Sequence, residues 1–268
     1  MRRDPAGEAA TLAVCCDSDQ PEALARAEAL ARRLDLPQSS CDSHDYPLLL
    51  VVTEERVEVR QTGSTVGPVY SEFNAGPFGY RKTLPLRREL LARAVGFKDQ
   101  PLEVIDMTAG LGRDAVLLAL LGCRVTAIES HPVVFELLDD GLRRARRDPD
   151  MARIIEQRLH LVQGDAVDYL VSLPPGARPD VIYLDPMFPP RTQSALVKKE
   201  MVLLSRLTGS CDDAGQLLRA ALGTGCRRIV VKRPRGSPQL VVPGGPSPAA
   251  EFTGRAARFD VYFPAGLD

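Results

Sequence analysis

The chain of 268 residues contains no tryptophan, and aromatic residues make up only 5% of it. No apolar run approaches the roughly 20 residues that a membrane-spanning helix needs. The first ten residues, MRRDPAGEAA, lack the apolar segment of a signal peptide. These absences argue against a membrane protein and a secreted protein, so we expect a cytoplasmic one. Leu, Val and Ala are plentiful instead, which favours an α/β core.

Cysteine is present without any of the spacings that carry chemistry. None of the six belongs to a CxxC or Cys/His pattern; they are Cys15, Cys16, Cys41, Cys123, Cys211 and Cys226. Zinc sites and redox motifs require such spacings, so we predict no metal site. We expect all six to be free thiols in a reducing cytoplasm.

Charge is nearly balanced over the whole chain, with a net of −1, but it is unevenly distributed. Residues 81–98 contain six basic side chains and one acidic side chain, and residues 186–235 contain ten basic and three acidic. Segregated positive charge is typical of a surface that binds a polyanion such as nucleic acid. Solvated helix faces explain the same pattern, so charge alone leaves both interpretations open.

The hydrophobic pattern divides the chain into a small N-terminal α/β unit, residues 1–79, and a larger unit, residues 80–268. In the small unit, TLAVCCD predicts a strand and PEALARAEALARRLDL an amphipathic helix. YPLLLVVTEERVEVRQTG predicts two strands around a TEER turn. The Gly- and Pro-rich residues 64–82 predict a loop, and residues 84–97 predict a helix.

The larger unit alternates strands and helices from about residue 101. Its strands are predicted from LEVIDM, RVTAIE, LHLVQGD, PDVIYLD, RRIVVKRP and RFDVYF. Repeated βα units require a mostly parallel sheet with helices on both faces. Ligands of such sheets bind beyond the carboxyl ends of the strands, near the point where strand order reverses. The residues that follow each strand are therefore the candidates for a site.

Four successive strands of this unit end in an acid: Asp106, Glu129, Asp165 and Asp185. Gly110 and Gly112 follow the first strand, where glycine permits a tight turn and the close approach of a ligand to the backbone. Glu129 is placed to accept hydrogen bonds from ribose hydroxyls, and Asp165 from an adenine amino group. Each acid taken alone is also explained as a helix N-cap or as a surface residue.

Together these acids indicate the chemistry of the ligand. Carboxylates would repel the phosphates of a dinucleotide, and no GxxxxGK[ST] motif is present to hold a triphosphate. They suit a ligand with hydroxyls, an amine and a positive sulfonium. We therefore predict S-adenosylmethionine (SAM) as the cofactor, in preference to NAD or ATP.

The stretch YLDPMFPPR, residues 183–191, contains the end of the fourth strand and the loop that follows it. In a SAM-dependent methyltransferase this loop faces the methyl group. Its DPMF resembles the [DN]PP[YFW] motif of amino-methylating enzymes, in which the acid accepts a hydrogen bond from a weakly nucleophilic amine. The prolines stiffen the loop around Asp185, and Phe188 can stack on a base. We predict both as catalytic residues. A Pro-rich turn with Phe188 in the core is the alternative.

Three segments resemble the RsmJ family: DMTAGLGRDAVLLALLGCRVTAIESHPVVFELLDDGL, VIYLDPMFPPRTQSALVKKEM and RRIVVKRP. The likeness runs from about Tyr80 to Phe263. RsmJ enzymes use SAM to methylate N2 of a guanine in small-subunit ribosomal RNA. The resemblance implies that reaction, on the RNA or on an assembled small subunit. It also implies a Rossmann-like class I methyltransferase fold, with a mostly parallel seven-stranded sheet and a small N-terminal domain.

The resemblance also assigns roles to single residues. SAM contacts are implied for Arg113, Asp114, Glu129, Ser130, Asp165, Ala166 and Asp185, besides the predicted Asp106, Gly110 and Gly112. Family members can carry two serines at the position of Asp165 and Ala166, so this chain departs from the family there. RNA phosphate contacts are predicted for Lys198, Lys199, Lys232 and Arg233, and Arg81 and Lys82 extend the basic surface. A solvated helix face is the alternative for Lys198 and Lys199.

Three functions are open on this basis. The first is an RNA guanine-N2 methyltransferase, and the second is a SAM-dependent methyltransferase of another planar amine, such as adenine in DNA. The third is a SAM-binding or RNA-binding module without catalysis, and Asp185 argues against it, because binding alone does not need that acid. The family resemblance, rather than residue chemistry, separates guanine from adenine. The oligomeric state is open.

Overall fold

A computed structural model describes residues 11–65, 67–186, 203, 207 and 214–264. The described chain contains two sheets, one of three strands and one of seven. No helix in these ranges is long and apolar enough to cross a membrane. The division at residues 79 and 80 stays a prediction.

The first sheet consists of β1 (Leu12–Cys16), β2 (Leu48–Val52) and β3 (Val57–Gln61). β1 runs parallel to β2, and β2 is antiparallel to β3. Helix α1 (Pro21–Leu34) connects β1 to β2, with proline in its first turn and Asp35 in the left-handed conformation at its end. Its apolar face buries Ala27 and Leu30 against the sheet, as the heptad-like spacing of Ala and Leu predicts.

The expectation of six free thiols is wrong for one pair, because Cys15 and Cys41 form a disulfide. The segment after α1 runs beside β1, where Val14 and Gln38 form a bridge, and this brings the two Cα atoms to 5.5 Å. Cys16, Cys123 and Cys226 are free thiols, and Cys211 lies outside the described residues. A spacing of 26 residues carries no signal for such a contact.

The second sheet has the order β6-β5-β4-β7-β8-β10-β9. Its strands are β4 (Glu103–Asp106), β5 (Arg124–Glu129), β6 (Leu159–Gln163), β7 (Val181–Leu184), β8 (Arg228–Pro234), β9 (Ala250–Thr253) and β10 (Ala257–Tyr262). The first five strands in this order are parallel, and β10 is antiparallel to both of its neighbours. The predicted sheet is confirmed. β9 escaped the sequence pattern because it is a four-residue edge strand, half of it exposed.

Both faces of this sheet are covered by helices. They are α2 (Gly76–Arg81), α3 (Leu90–Val95), α4 (Arg113–Leu121), α5 (Pro132–Ala145), α6 (Pro149–Arg158), α7 (Ala166–Ser172) and α8 (Ala214–Leu222). Alternate residues of each strand point to opposite faces. Val104 and Tyr183 accordingly join the core under α3, α4 and α6, whereas Ile105 and Ile182 join the core under α7 and α8.

Three local predictions differ from the structure. Residues 84–97 form a 3-10 turn (Leu86–Arg88) and the short α3 rather than one helix, because Glu89 takes an extended conformation. The Gly- and Pro-rich stretch contains α2 besides its loops. Helix α6, which the sequence pattern did not indicate, is capped by the Asp148 carboxylate, which accepts from the N–H groups of Asp150 and Met151.

Helix α5 joins the two units through a buried group of charges. The fully buried Asp140 accepts hydrogen bonds from Arg26 (2.5 Å), Arg143 (2.5 Å), Arg144 (2.9 Å) and the backbone N–H of Val57 (3.0 Å). Burial alone would raise the pKa of this carboxyl, but the hydrogen bonds from Arg26, Val57 and Arg144 outweigh it and lower that pKa. We call this group the Asp140 cluster.

Candidate active site

The strand order reverses at β4, which lies between β5 and β7. Crevices of open α/β sheets form at this point, outside the carboxyl ends of the strands. Asp106 ends β4, Glu129 ends β5, and Asp165 and Asp185 follow β6 and β7, so all four predicted acids lie at this edge. Their arrangement follows from parallel pairing, which places successive strand ends side by side.

Glu129 is 8% exposed and joins two elements of the site. One of its carboxylate oxygens accepts from the N–H of Gly110 (2.8 Å), and the other accepts from the N–H of His131 (2.8 Å). The carboxylate is therefore fixed between the β4–α4 turn and the start of α5. Ser130, beside it, is exposed. Carboxylate oxygens are the acceptors that hydroxyls require, which fits the predicted ribose role.

The two glycines of the β4–α4 turn have different structural roles. Both have positive φ, 54° at Gly110 and 78° at Gly112, a conformation that favours glycine. A Cβ on Gly112 would meet Leu138 at 2.3 Å, so this glycine permits helix packing. A Cβ on Gly110 would meet only the Thr108 carbonyl oxygen, at 3.9 Å, so its front is open space. Gly110 is the one that leaves room for a ligand beside Glu129.

Asp165 differs from the other three acids. Its carboxylate accepts from the N–H groups of Val167 (2.8 Å) and Asp168 (3.0 Å), which makes it the N-cap of α7. The cap was the alternative explanation for this residue, and the side chain is exposed. Ala166 is buried behind it. A contact of Asp165 with adenine stays a prediction.

Asp114 and Asp185 share one lysine. The ammonium of Lys232, from β8, lies 2.7 Å from Asp114 Oδ2 and 2.7 Å from Asp185 Oδ2. Asp114 also accepts from the hydroxyl of Tyr183 at 2.6 Å. The backbone N–H of Asp185 donates to Thr108 Oγ1 at 2.6 Å. Asp185 is thus held by Thr108, which follows β4, and by Lys232 of β8.

The electrostatics of this group favour a cationic ligand. Burial raises the pKa of Asp106 to about 8, so it is mostly neutral at pH 7. Burial also raises the pKa of Asp185, although Lys232 works in the opposite direction. The pKa of Asp114 is lowered because Lys232 and Tyr183 outweigh its burial. Lys232 is shared by Asp114 and Asp185, and Arg81 Nη1 lies 4.0 Å from Asp114 Oδ1. We call Asp106, Asp114, Asp185 and Lys232 the Asp185 cluster.

The predicted RNA-binding residues lie in unexpected places. Lys232 is engaged by two carboxylates inside the site, although it was predicted to contact phosphates. Arg233 points to the opposite face of β8, is 5% exposed, and donates to the carbonyl of Pro238 at 2.8 Å. Neither side chain is presented as a surface cation in this structure. Lys198, Lys199 and Phe188 lie outside the described residues.

Sequence reasoning missed Thr108 and Tyr183. Thr108 lies two residues after Asp106, whose Oδ1 accepts its N–H at 3.0 Å, and Tyr183 lies two residues before Asp185. Alternation along β7 places Tyr183 and Asp185 on the same face, which is a usable signal. Arg113, by contrast, was predicted, and it is exposed at the start of α4.

The residues fit SAM. An acid-lined site suits its sulfonium, an open Gly110 leaves room for it, and the fixed carboxylate of Glu129 can accept from its ribose hydroxyls. The seven-stranded sheet with this arrangement at its switch point defines a Rossmann-like class I SAM-dependent methyltransferase. A family model described as "Putative SAM-dependent methyltransferase" matches residues 29–264.

Similar proteins narrow the class to a family. The ribosomal RNA small subunit methyltransferase J of Thioalkalivibrio sulfidiphilus is 48% identical over 240 residues, covering 88% of this chain and 92% of the relative. The protein of the same name from Coxiella burnetii is 46% identical and covers 90% and 93%. A crystal structure of a SAM-dependent methyltransferase from Neisseria gonorrhoeae aligns with a TM-score of 0.70 at 35% identity, covering 95% and 97%. The chain belongs to the family of ribosomal RNA small subunit methyltransferase J.

Proposed function

We propose that this enzyme transfers the methyl group of SAM to the exocyclic N2 of a guanine in small-subunit ribosomal RNA. The observation that carries the proposal is the placement of Asp185, which is fixed at the carboxyl end of β7 by Thr108 and Lys232. The relatives named for methylation of small-subunit ribosomal RNA support the choice of substrate. A ribosomal RNA substrate also supports a cytoplasmic location.

The chemistry explains why a fixed acid is needed. The lone pair of an exocyclic amine is delocalised into the purine ring, so the amine is a poor nucleophile. A carboxylate that accepts an N–H hydrogen bond localises this lone pair and then takes the proton that the nitrogen releases. The raised pKa of Asp185 makes it a better proton acceptor than an ordinary aspartate. SAM, when bound, supplies a methyl group activated by its sulfonium.

The chain's own residues divide the remaining work. Glu129 and Gly110 are proposed to hold the ribose side of the cofactor, and Asp114 to face its positive charge. Because acids line this side of the site, the product without the sulfonium charge binds less favourably than the substrate. This charge difference promotes exchange of the spent cofactor after each transfer.

The test is the identity of the methylated nucleoside. The enzyme is incubated with labelled SAM and, in parallel, with unmodified small ribosomal subunits, free small-subunit RNA, or DNA. Each substrate is then digested and its nucleosides are separated. The proposal expects label in N2-methylguanosine from the RNA or the subunit. Label in N6-methyladenine, or in DNA alone, would establish the alternative of another planar amine. The two ribosomal samples also decide whether free RNA or the assembled subunit is the substrate.

A further inference from the structure

A pocket of about 230 Å³ lies next to the Asp185 cluster, at the carboxyl end of β8. Its walls come from the end of α2, the start of α3 and the turn between β9 and β10. That turn lies at this edge because Ala257, the first residue of β10, pairs with Pro234, the last residue of β8. The volume is below the range of roughly 300–1,000 Å³ for drug-sized ligands and suits a group the size of one base.

Lys232 links the pocket to the predicted catalytic acid. Lys232 and Asp114 line the pocket, and the same ammonium contacts Asp185 at 2.7 Å. A planar group in the pocket therefore has its inner edge beside the Lys232–Asp185 pair. The pocket is separate from the Gly110 and Glu129 side of the site, since neither residue lines it.

The lining combines apolar and charged groups in a pattern that suits a nucleotide. Leu90 and Phe259 supply apolar surface for a base. Glu89 is held by Arg81 through two hydrogen bonds, 3.1 and 2.9 Å long, and its carboxylate keeps acceptor capacity for a donor on a base edge. The Arg81 guanidinium is thereby already occupied, so it is not the anion contact of this pocket.

Arg255 is the cation that remains. It lies in the turn between β9 and β10, it is exposed, and it has no hydrogen-bond or ion-pair partner among the residues that the structure describes. A guanidinium at the mouth of a base-sized pocket offers a fork of donors that matches a phosphate. Tyr80, the residue before Arg81, is 69% exposed and adds an aromatic face on which a neighbouring base can stack.

We propose that this pocket receives the target nucleotide of a single-stranded RNA segment, with Arg255 bound to the phosphate of that nucleotide or of its neighbour. The base enters against Leu90 and Phe259, and its amino edge reaches Asp185. This inference rests on the proposed function and adds a specific binding site to it. Enzymes that modify a base take it out of the stack into such a pocket.

The test compares two exposed arginines at the same edge of the sheet. Arg255→Ala removes the pocket arginine, and Arg235→Ala is the matched control, since Arg235 is exposed beside the turn but does not line the pocket. We expect Arg255→Ala to raise KM for the RNA about tenfold with little change in SAM affinity by calorimetry. The slope of log affinity for RNA against log salt should fall by about 0.7, the value for one phosphate contact in a single strand. Arg255→Lys should recover part of the loss.

A second variant tests the pocket space without changing charge. A Cβ on Gly254 would lie 2.6 Å from Leu90 Cδ1, so Gly254→Ala pushes this side chain from its place in the wall. We expect a higher KM for RNA with unchanged SAM affinity, and thermal melting checks that the variant is folded.

The outcomes separate this inference from the proposed function. Equal effects of Arg255→Ala and Arg235→Ala would show a diffuse basic surface and overturn the pocket assignment while the wild-type enzyme remains active on RNA. A loss of SAM affinity in Arg255→Ala would also overturn it, because the pocket would then belong to the cofactor. A wild-type enzyme inactive on ribosomal RNA would refute the proposed function itself.

Discussion

The Asp140 cluster and the Asp185 cluster are both built from buried or half-buried carboxylates, but they differ in their supply of cations. Asp140 alone has three arginines and a backbone N–H, and its pKa is lowered. The Asp185 cluster has three aspartates for Lys232 and the more distant Arg81, 4.0 Å from Asp114, and the pKa values of Asp106 and Asp185 are raised.

The difference distinguishes a structural group of charges from a functional one. Where cations outnumber acids, every carboxylate oxygen is satisfied, and the group holds two elements together. Where acids outnumber cations, burial and repulsion leave negative charge that a cationic ligand can neutralise. Raised pKa values of the carboxyls indicate this shortage of cations. Four changes test this distinction, and the largest effect is expected at the acid that faces the substrate.

Asp185→Asn should lower kcat by at least about 10²-fold, because the amide presents a weaker acceptor to the amine and cannot take its proton. Thermal melting should stay close to that of the wild type, since Lys232 keeps its contact with Asp114 at 2.7 Å. The measurement is single-turnover methyl transfer at saturating SAM. Activity near that of the wild type would remove Asp185 from the reaction.

Asp140→Asn should act in the opposite way, on stability rather than on chemistry. Removing one partner of a buried ion pair costs about 3 kcal/mol or more, because the other charges stay buried. We expect that loss in the free energy of unfolding from urea titration. Asp150→Asn is the matched control, since Asp150 also pairs with an arginine on a helix but its side chain is 84% exposed. Equal stability of the two variants would contradict the structural role.

Lys232→Met should shift the pH dependence of the reaction. The ammonium opposes the raised pKa of Asp185, so its removal raises that pKa further, and less carboxylate is ionised at a given pH. The acid limb of the kcat profile should therefore move to higher pH. An Arg235→Gln control removes a neighbouring charge outside the cluster. An unmoved limb in Lys232→Met would show that Lys232 does not set the ionisation of Asp185.

Asp106→Asn should act on how stability depends on pH. The folded-state pKa of about 8 lies above the unfolded value near 3.8, so the folded protein binds the extra proton between them. Wild-type stability therefore falls as pH rises through this range. The variant should equal the wild type near pH 4 and exceed it above pH 8 in melting temperature. Parallel curves of melting temperature against pH for the two proteins would show that Asp106 is not a buried neutral acid.

Local sequence patterns predicted the acids of the site but not their partners. Strands ending in Asp106, Glu129 and Asp185 are visible because alternation and glycine turns are short-range signals. The Lys232 contacts join positions 47 and 118 residues apart, so no local pattern reports them. The same limit hid the Cys15–Cys41 disulfide. Asp165 shows the converse, because a strand-end acid and a helix cap have the same local sequence, and only the structure separates them.

Helix α5 has a consequence for the modularity of the enzyme. It begins three residues after Glu129, one of the acids at the cofactor side, and its other face carries Asp140 and Glu136 into ion pairs with α1 of the small unit. Ser71 lies so close to Gly141 that a Cβ added to Gly141 would be 2.4 Å from the Cβ of Ser71. A fragment trimmed to residues 80–268 would leave these carboxylates without their α1 arginines, so the larger unit is a poor candidate for a minimal catalytic domain.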